Sequence, residues 1–365
     1  MFDRRLLTYF DWGFACTILG MACLGVLSIY SANALTPSPF RQTLHLRQLT
    51  WLAAGLVVLF LACTVSYRNL SRFAYVIFGA SVLMLLVVLV LGKVGLGAQR
   101  WIRIGGIAFQ PSEFMKLSLV LFLARYFDDH RETLHQPKTM LLPAGLTLLT
   151  ALLVLKQPDL GTALLLVFIS LSMMLLLGLH WRYLLPLAIG GGVLTPLIWT
   201  LLKDYQRRRL LVYFNPELDP LGASYHIAQS KIAVGSGGAF GKGWMAASQS
   251  QLNFLPMNHT DFLFAVLAEQ WGFVGCLLVL LVYVYLITRG FQIAMESADF
   301  FASLLATGIS AMLAIQVFIN VAMVLGMLPV VGIPLPLLSY GGSSLLATML
   351  SLGLLLNIHM RRFMY

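Results

Sequence analysis

Residues 160–179 read LGTALLLVFISLSMMLLLGL, a run without one charged side chain. It matches the roughly 20 residues that a helix needs to cross the hydrocarbon core of a bilayer. There every backbone N–H and C=O must be satisfied within the segment itself. The rest of the chain has the same character. Of its 365 residues, 59% are hydrophobic and only 10% charged, against about a quarter charged in soluble domains. A soluble fold is excluded, and an all-α polytopic membrane protein is expected.

Ten spans are expected, at 12–32, 47–65, 71–92, 112–127, 139–155, 159–178, 182–202, 262–288, 302–328 and 338–359, within a single membrane domain covering 1–365. An even number puts both termini on one side. Long connections count little toward orientation, so the 203–261 segment is set aside. The remaining basic residues, among them Arg4, Arg5, Arg68, Arg72, Arg125, Arg131, Lys138, Arg182, Arg289, Arg361 and Arg362, then place both termini in the cytoplasm. The net charge of +10 is read as orientation signal and contact with phosphates or lipid headgroups, not as nucleic-acid binding. Cys16, Cys23, Cys63 and Cys276 fall in apolar runs without metal-ligand spacing and read as small core residues. No cleavable signal peptide is expected after Met1–Arg5.

With this orientation every even-numbered span starts on the outer side, and four polar motifs sit at such starts. They are Gln110-Pro111-Ser112-Glu113-Phe114-Met115-Lys116, Gln157-Pro158-Asp159-Leu160-Gly161-Thr162, Asn258-His259-Thr260-Asp261 and Leu338-Ser339-Tyr340-Gly341-Gly342-Ser343-Ser344. A carboxylate so close to hydrocarbon is costly and marks a functional hypothesis. Proline at the first helical position and an acid in the first turn also suit a helix start, so capping accounts equally well for Glu113 and Asp159. Glu113 and Lys116, three residues apart, can pair on one helix face. That pair either fixes helix packing or borders a polar cavity for a charged substrate.

The 203–261 connection lies on the same outer side and is long enough to suggest function. Its segment 234–244, VGSGGAFGKGW, has the composition of a phosphate-cradling loop but not the strand-loop-helix context, so a nucleotide site is not expected. Arg47, Arg100, Arg103 and Arg207–Arg209 collect on this face and suit a diphosphate or an anionic headgroup. Span seven carries Pro186, Gly190, Gly191, Gly192 and Pro196, a kink that keeps a transport function open.

Several motifs in order resemble one family, the SEDS proteins (shape, elongation, division and sporulation). They are Gly97-Ala98-Gln99-Arg100-Trp101, Phe109-Gln110-Pro111-Ser112-Glu113 with Lys116, Gln157-Pro158-Asp159-Leu160-Gly161-Thr162, Gln229-Ser230-Lys231 through Gly238, His259-Thr260-Asp261-Phe262, Leu328–Pro336 and Ser339-Tyr340-Gly341-Gly342-Ser343. The stretch 249–256, QSQLNFLP, is similar to the elongation branch of the family and not to the division branch. Asn253 and Gln270 depart from it, each standing where an acid is common.

The resemblance implies a peptidoglycan glycosyltransferase of lateral cell-wall elongation and rod-shape maintenance, acting on lipid II at the outer face of the cytoplasmic membrane. It makes Asp261 the expected general base. Glu113, Lys116, Asp159 and Ser339 are expected to shape the cavity, and Arg47, Arg100, Lys231 and Lys242 to meet the diphosphate. The positive charge at the leaving group can also come from a divalent cation, magnesium or manganese. The implied partners are a class B penicillin-binding protein, other elongation-complex proteins and membrane lipids. The rival functions are a lipid II flippase, for which Glu269 is the one acid deeper in a span, a division-type paralogue, and a scaffold that only recruits the transpeptidase.

Overall fold

The computed structural model describes residues 8–362, except 179–198 and short stretches at 35, 37, 92, 96–97, 105–106, 135, 201, 203, 220–221, 248, 250–253 and 256. Its helices are α1 (Trp12–Asn33), α2 (Leu44–Thr64), α3 (Tyr67–Leu91), α4 (Pro111–Asp129), α5 (Pro137–Lys156), α6 (Leu160–Leu176), α7 (Asp204–Phe214), α8 (Ala223–Ser236), α9 (Leu263–Glu296), α10 (Phe300–Val324) and α11 (Gly342–Arg361). Among the described residues seven helical stretches are long and apolar enough to cross a membrane, and α6 is a shorter apolar helix of 17 residues. Helices match every expected span except 182–202, which lies almost wholly outside the described residues.

The chain forms two compact units. One comprises Met1–Cys63, Arg209–Arg289 and Gln316–Leu356; the other comprises Thr64–Arg208, Gly290–Ile315 and Asn357–Tyr365. In the first, α2 and α11 approach so closely that their contact depends on small residues. A Cβ on Gly353 would stand 2.8 Å from the Leu59 carbonyl oxygen, and one on Gly342 would stand 2.2 Å from Trp51. Packing of this kind replaces the hydrophobic drive that lipid removes. In the second unit α4 packs on α3 and α6, and α5 on α6. Gly308 of α10 lies against Val120 and Met173 with no room for a side chain.

Helix starts follow from local chemistry. Asp11 accepts from Phe14 N at 2.9 Å and caps α1, and Asp159 accepts from Thr162 N at 3.2 Å and caps α6. Pro111 and Pro137 stand in the first turns of α4 and α5, where a missing N–H costs nothing.

The structure corrects the all-α expectation at one place. Three short strands, β1 (Lys93–Gly95), β2 (Ala98–Ile104) and β3 (Ile107–Phe109), pair in that order into an antiparallel sheet, with Ile104 opposite Ile107.

The glycine-rich segment 234–244 is ordered by helix and by backbone contacts. Val234–Ser236 ends α8, and the residues that follow dock against α9, which is broken at Gly272 (φ 66°, ψ −164°). Lys242 N and Gly243 N donate to the carbonyls of Glu269 and Gln270 at 2.9 and 3.0 Å. Phe273 N and Val274 N donate back to the carbonyls of Gly238 and Ala239 at 2.9 and 3.0 Å. A Cβ on Gly237 would lie 2.0 Å from the Ala268 carbonyl oxygen, and one on Gly241 2.1 Å from that of Gln270. Here glycine serves close backbone approach.

Candidate active site

The 257–262 turn that leads into α9 is held by its own carbonyls. Tyr340 N donates to His259 O at 2.9 Å, Ser339 Oγ to Thr260 O at 2.6 Å, and Asn320 Nδ2 to Asp261 O at 3.0 Å. Each donor is itself fixed. Asn320 is fully buried and also donates to Ile333 O at 2.8 Å, and Ser339 Oγ accepts from Leu335 N at 2.9 Å. Gln48 bridges Ser339 O and Gly341 N, at 3.3 Å each, and Asn258 Nδ2 reaches Ala32 O at 3.3 Å. A buried amide carbonyl needs a donor, and supplying one to each of three successive peptides leaves the turn little freedom.

The Asp261 side chain is half-buried beside Gly332, where a Cβ would come within 3.5 Å of Oδ2. Gly332 adopts φ 74°, a conformation that favours glycine, so the 329–336 segment passes the carboxylate without crowding it.

Cations gather in the same unit. Arg47 is exposed, lies over the Phe40 ring at 4.3 Å and hydrogen-bonds the Tyr340 side chain. His259 packs edge-on against Tyr340, its Nδ1 3.1 Å from Asn258 Oδ1. Burial, and then the charge of Arg41, push His259 down to about 4. The imidazole is therefore neutral at physiological pH. On α8, Lys231 is exposed and its stem lies across Gly326, while His226 faces Phe262 with ring centroids 6.5 Å apart. Burial first, and then Arg209, lower the His226 pKa. Ser230 Oγ and Tyr213 Oη donate to Val324 O and Met327 O, both at 2.7 Å, tying α7 and α8 to the 324–330 segment.

Lys242 is engaged elsewhere: its Nζ lies 2.6 Å from Oε1 of the fully buried Glu269. Gln270, beside it, donates to Ser31 Oγ at 2.6 Å, while Asn253 is outside the described residues.

The remaining expected residues belong to the second unit. Glu113 and Lys116 are both buried and pair at 2.8 Å. Asp159 caps α6, receives the Thr162 hydroxyl at 3.0 Å and Gln110 Nε2 at 3.4 Å, and lies 3.9 Å from Arg100. From β2, Arg100 donates Nε to Gln157 O at 3.2 Å and Nη2 to Pro158 O, latching the sheet onto the start of α6. The Arg103 side chain lies outside the described residues.

Two contributors escaped the sequence reading: Asn320, whose signal is an amide inside an apolar run, and the bridging role of Gln48. Among the described residues no group of three or more His, Cys, Asp or Glu side chains forms a metal site.

A family model for FtsW, RodA and SpoVE, described as cell cycle protein, matches residues 11–363. The chain belongs to that family. It is the shape, elongation, division and sporulation family that the motifs resemble. A relative in Escherichia coli K12, the peptidoglycan glycosyltransferase MrdB, is 42% identical over 320 residues, 87% of this chain and 86% of that protein. A chain from a peptidoglycan synthase complex, solved for its structural coordination of polymerization and crosslinking, superposes with a TM-score of 0.84 at 37% identity, covering 98% of this chain and 99% of the other. The crystal structure of the rod shape determining protein RodA of Thermus thermophilus gives a TM-score of 0.70 at 35% identity, with 97% and 98% covered. This family member therefore shares both sequence and fold with relatives over nearly its whole length.

Proposed function

We propose that this chain polymerises lipid II, the undecaprenyl-diphosphate-linked disaccharide-pentapeptide, into β-1,4 glycan strands during lateral cell-wall elongation, with Asp261 as general base. The observation that carries the proposal is the turn whose carbonyls at 259, 260 and 261 are each bound. It presents a half-buried carboxylate at the start of an apolar helix, which is how a base is kept in place at a membrane surface. Membership of a family that includes peptidoglycan glycosyltransferases supplies the substrate class.

In the reaction the GlcNAc 4-hydroxyl of one lipid II attacks the MurNAc anomeric carbon of another. The new C–O bond forms as the bond to the diphosphate breaks, and the electron pair leaves with undecaprenyl diphosphate. The hydroxyl proton passes to Asp261, which lets a weak nucleophile react. A single displacement of an α-linked diphosphate inverts to the β link. Negative charge grows on the leaving group, and fixed cations stabilise it. Arg47 and Lys231, both exposed in the unit that holds Asp261, are assigned to this task. Arg100 and Lys242 are assigned to holding structure, because each is occupied by protein acceptors.

The active site faces the outer side of the bacterial cytoplasmic membrane, both termini are cytoplasmic, and the partner is a class B penicillin-binding protein that crosslinks the strands. A flippase needs polar groups along a path through both leaflets. Glu269, the acid that would serve such a path, is instead bound by Lys242 and by the Gln249 N–H. Gel analysis of glycan made from purified lipid II, with and without the transpeptidase, tests the proposal. Polymer is expected from the wild-type protein and none from Asp261→Asn, while lipid II translocation without polymer would establish the flippase.

A further inference from the structure

Among the described acids Glu269 is the most completely buried, at 0% exposure, and the reaction above does not use it. Its carboxylate receives Lys242 Nζ at 2.6 Å and the backbone N–H of Gln249, which stands 3.3 Å from both oxygens. One side chain on α9 thus fastens two points of the connecting loop, beside the backbone hydrogen bonds that dock 238–243 against the break at Gly272.

The break makes Leu263–Trp271 a short helical rod of its own. Asp261 lies just before its first residue and Glu269 near its far end. At about 1.5 Å of rise per residue, the two are about 12 Å apart along the axis. A tilt of about 5° at the Glu269 end would carry Asp261 by about 1 Å, a misplacement that can cost about 100-fold in rate. The carbonyl contacts at 259–261 hold the near end of the rod, and the Glu269 clasp holds the other. Glu269 itself is fully buried, so removing Lys242 would leave its carboxylate short of its charged partner, an unfavourable change.

We propose that Lys242 and Glu269 are a positioning pair for Asp261: by clamping the far end of the 263–271 rod to the connecting loop, they keep the base aligned with the acceptor hydroxyl. This rests on Asp261 acting as the base in glycosyl transfer. It differs from a substrate-binding role for Lys242, in which the ammonium would meet the lipid diphosphate.

The test measures kcat, KM and pH–rate profiles with purified lipid II, using the full chain together with its transpeptidase partner. The variants are Lys242→Met, Lys242→Arg, Glu269→Gln and the Lys242→Met/Glu269→Gln double, with thermal unfolding in detergent recorded for each. Each disruptive single variant is expected to lower kcat by about 10- to 100-fold with KM within about threefold. The double is expected to be no slower than the slower single, because both remove one clasp. Lys242→Arg should recover most of kcat, and the pH limb of the base should keep its position.

Losses that multiply in the double variant would overturn the pair, as would a Lys242→Met protein whose KM rises while kcat holds. If Glu269→Gln does not fold, the Lys242 variants still decide, since that side chain is 32% exposed. Asp261→Asn in the same assay separates the two levels. Wild-type polymerisation by Asp261→Asn removes the base and the positioning idea with it. Wild-type kinetics of Lys242→Met beside an inactive Asp261→Asn removes the positioning pair alone.

Discussion

Asn320 donates one side-chain amide to the backbone carbonyls of both Asp261 and Ile333, at 3.0 and 2.8 Å, and so joins the turn that carries the base to the segment that passes beside it. Asn320→Leu removes both bonds and leaves two buried carbonyls short of a donor, a cost of about 1–3 kcal/mol for each such group. The variant is expected to polymerise lipid II about 10- to 100-fold more slowly, with little change in KM, because the carboxylate shifts while the substrate contacts stay. Steady-state kinetics check this.

Ser339 makes a smaller contribution by the same logic. Its hydroxyl donates to Thr260 O at 2.6 Å and accepts from Leu335 N at 2.9 Å, so Ser339→Ala frees one acceptor and one donor. A stability loss of about 1–3 kcal/mol and a reduced kcat are expected, with Ser339→Thr closer to wild type. Thermal unfolding in detergent reads the first, and polymerisation kinetics the second.

His259 sets a pH dependence of stability. Its folded pKa is depressed to about 4 by burial and by Arg41, against about 6.5 when unfolded. Above about pH 6.5 both states are neutral and the residue contributes no slope. Between that pH and about 4 the unfolded chain binds the extra proton, so stability falls as pH falls, and it levels below about 4. His259→Gln should flatten the unfolding temperature over this window, and an unchanged slope would count against the assignment.

Much of this architecture was legible in the sequence, for reasons that can be named. Charge-free runs such as 160–179 leave no alternative to a membrane helix, and α6 appears there with Asp159 as its cap. Side chains that pair within one helical turn were also legible, as Glu113 and Lys116 show. What escaped were partners distant in the chain. Asn320 meets Asp261 across 59 residues and Gln48 meets Gly341 across 293, and no local periodicity records either contact. Lys242 shows the same limit: its charge suggested a phosphate, but folding brings it to Glu269. The small sheet was hidden because strands as short as Lys93–Gly95 and Ile107–Phe109 carry too few residues for an alternating pattern.

The pair Glu113–Lys116 separates a structural role from contact with substrate. Both side chains are buried and 2.8 Å apart, so removing either leaves a buried charge uncompensated. Lys116→Ala is expected to cost about 3–5 kcal/mol and most of the folded yield. The reversal Glu113→Lys with Lys116→Glu is expected to recover both yield and polymerisation. Recovered yield without polymerisation would assign Lys116 to the substrate.

The central claim is that Asp261 takes the proton of the acceptor hydroxyl. Its most direct test is the initial rate of glycan formation from purified lipid II by wild type and Asp261→Asn, each monodisperse and bound to the transpeptidase partner. Loss of the base alone is expected to lower the rate by at least about 100-fold, with lipid II binding unchanged. An Asp261→Asn protein that polymerises at the wild-type rate would contradict the account.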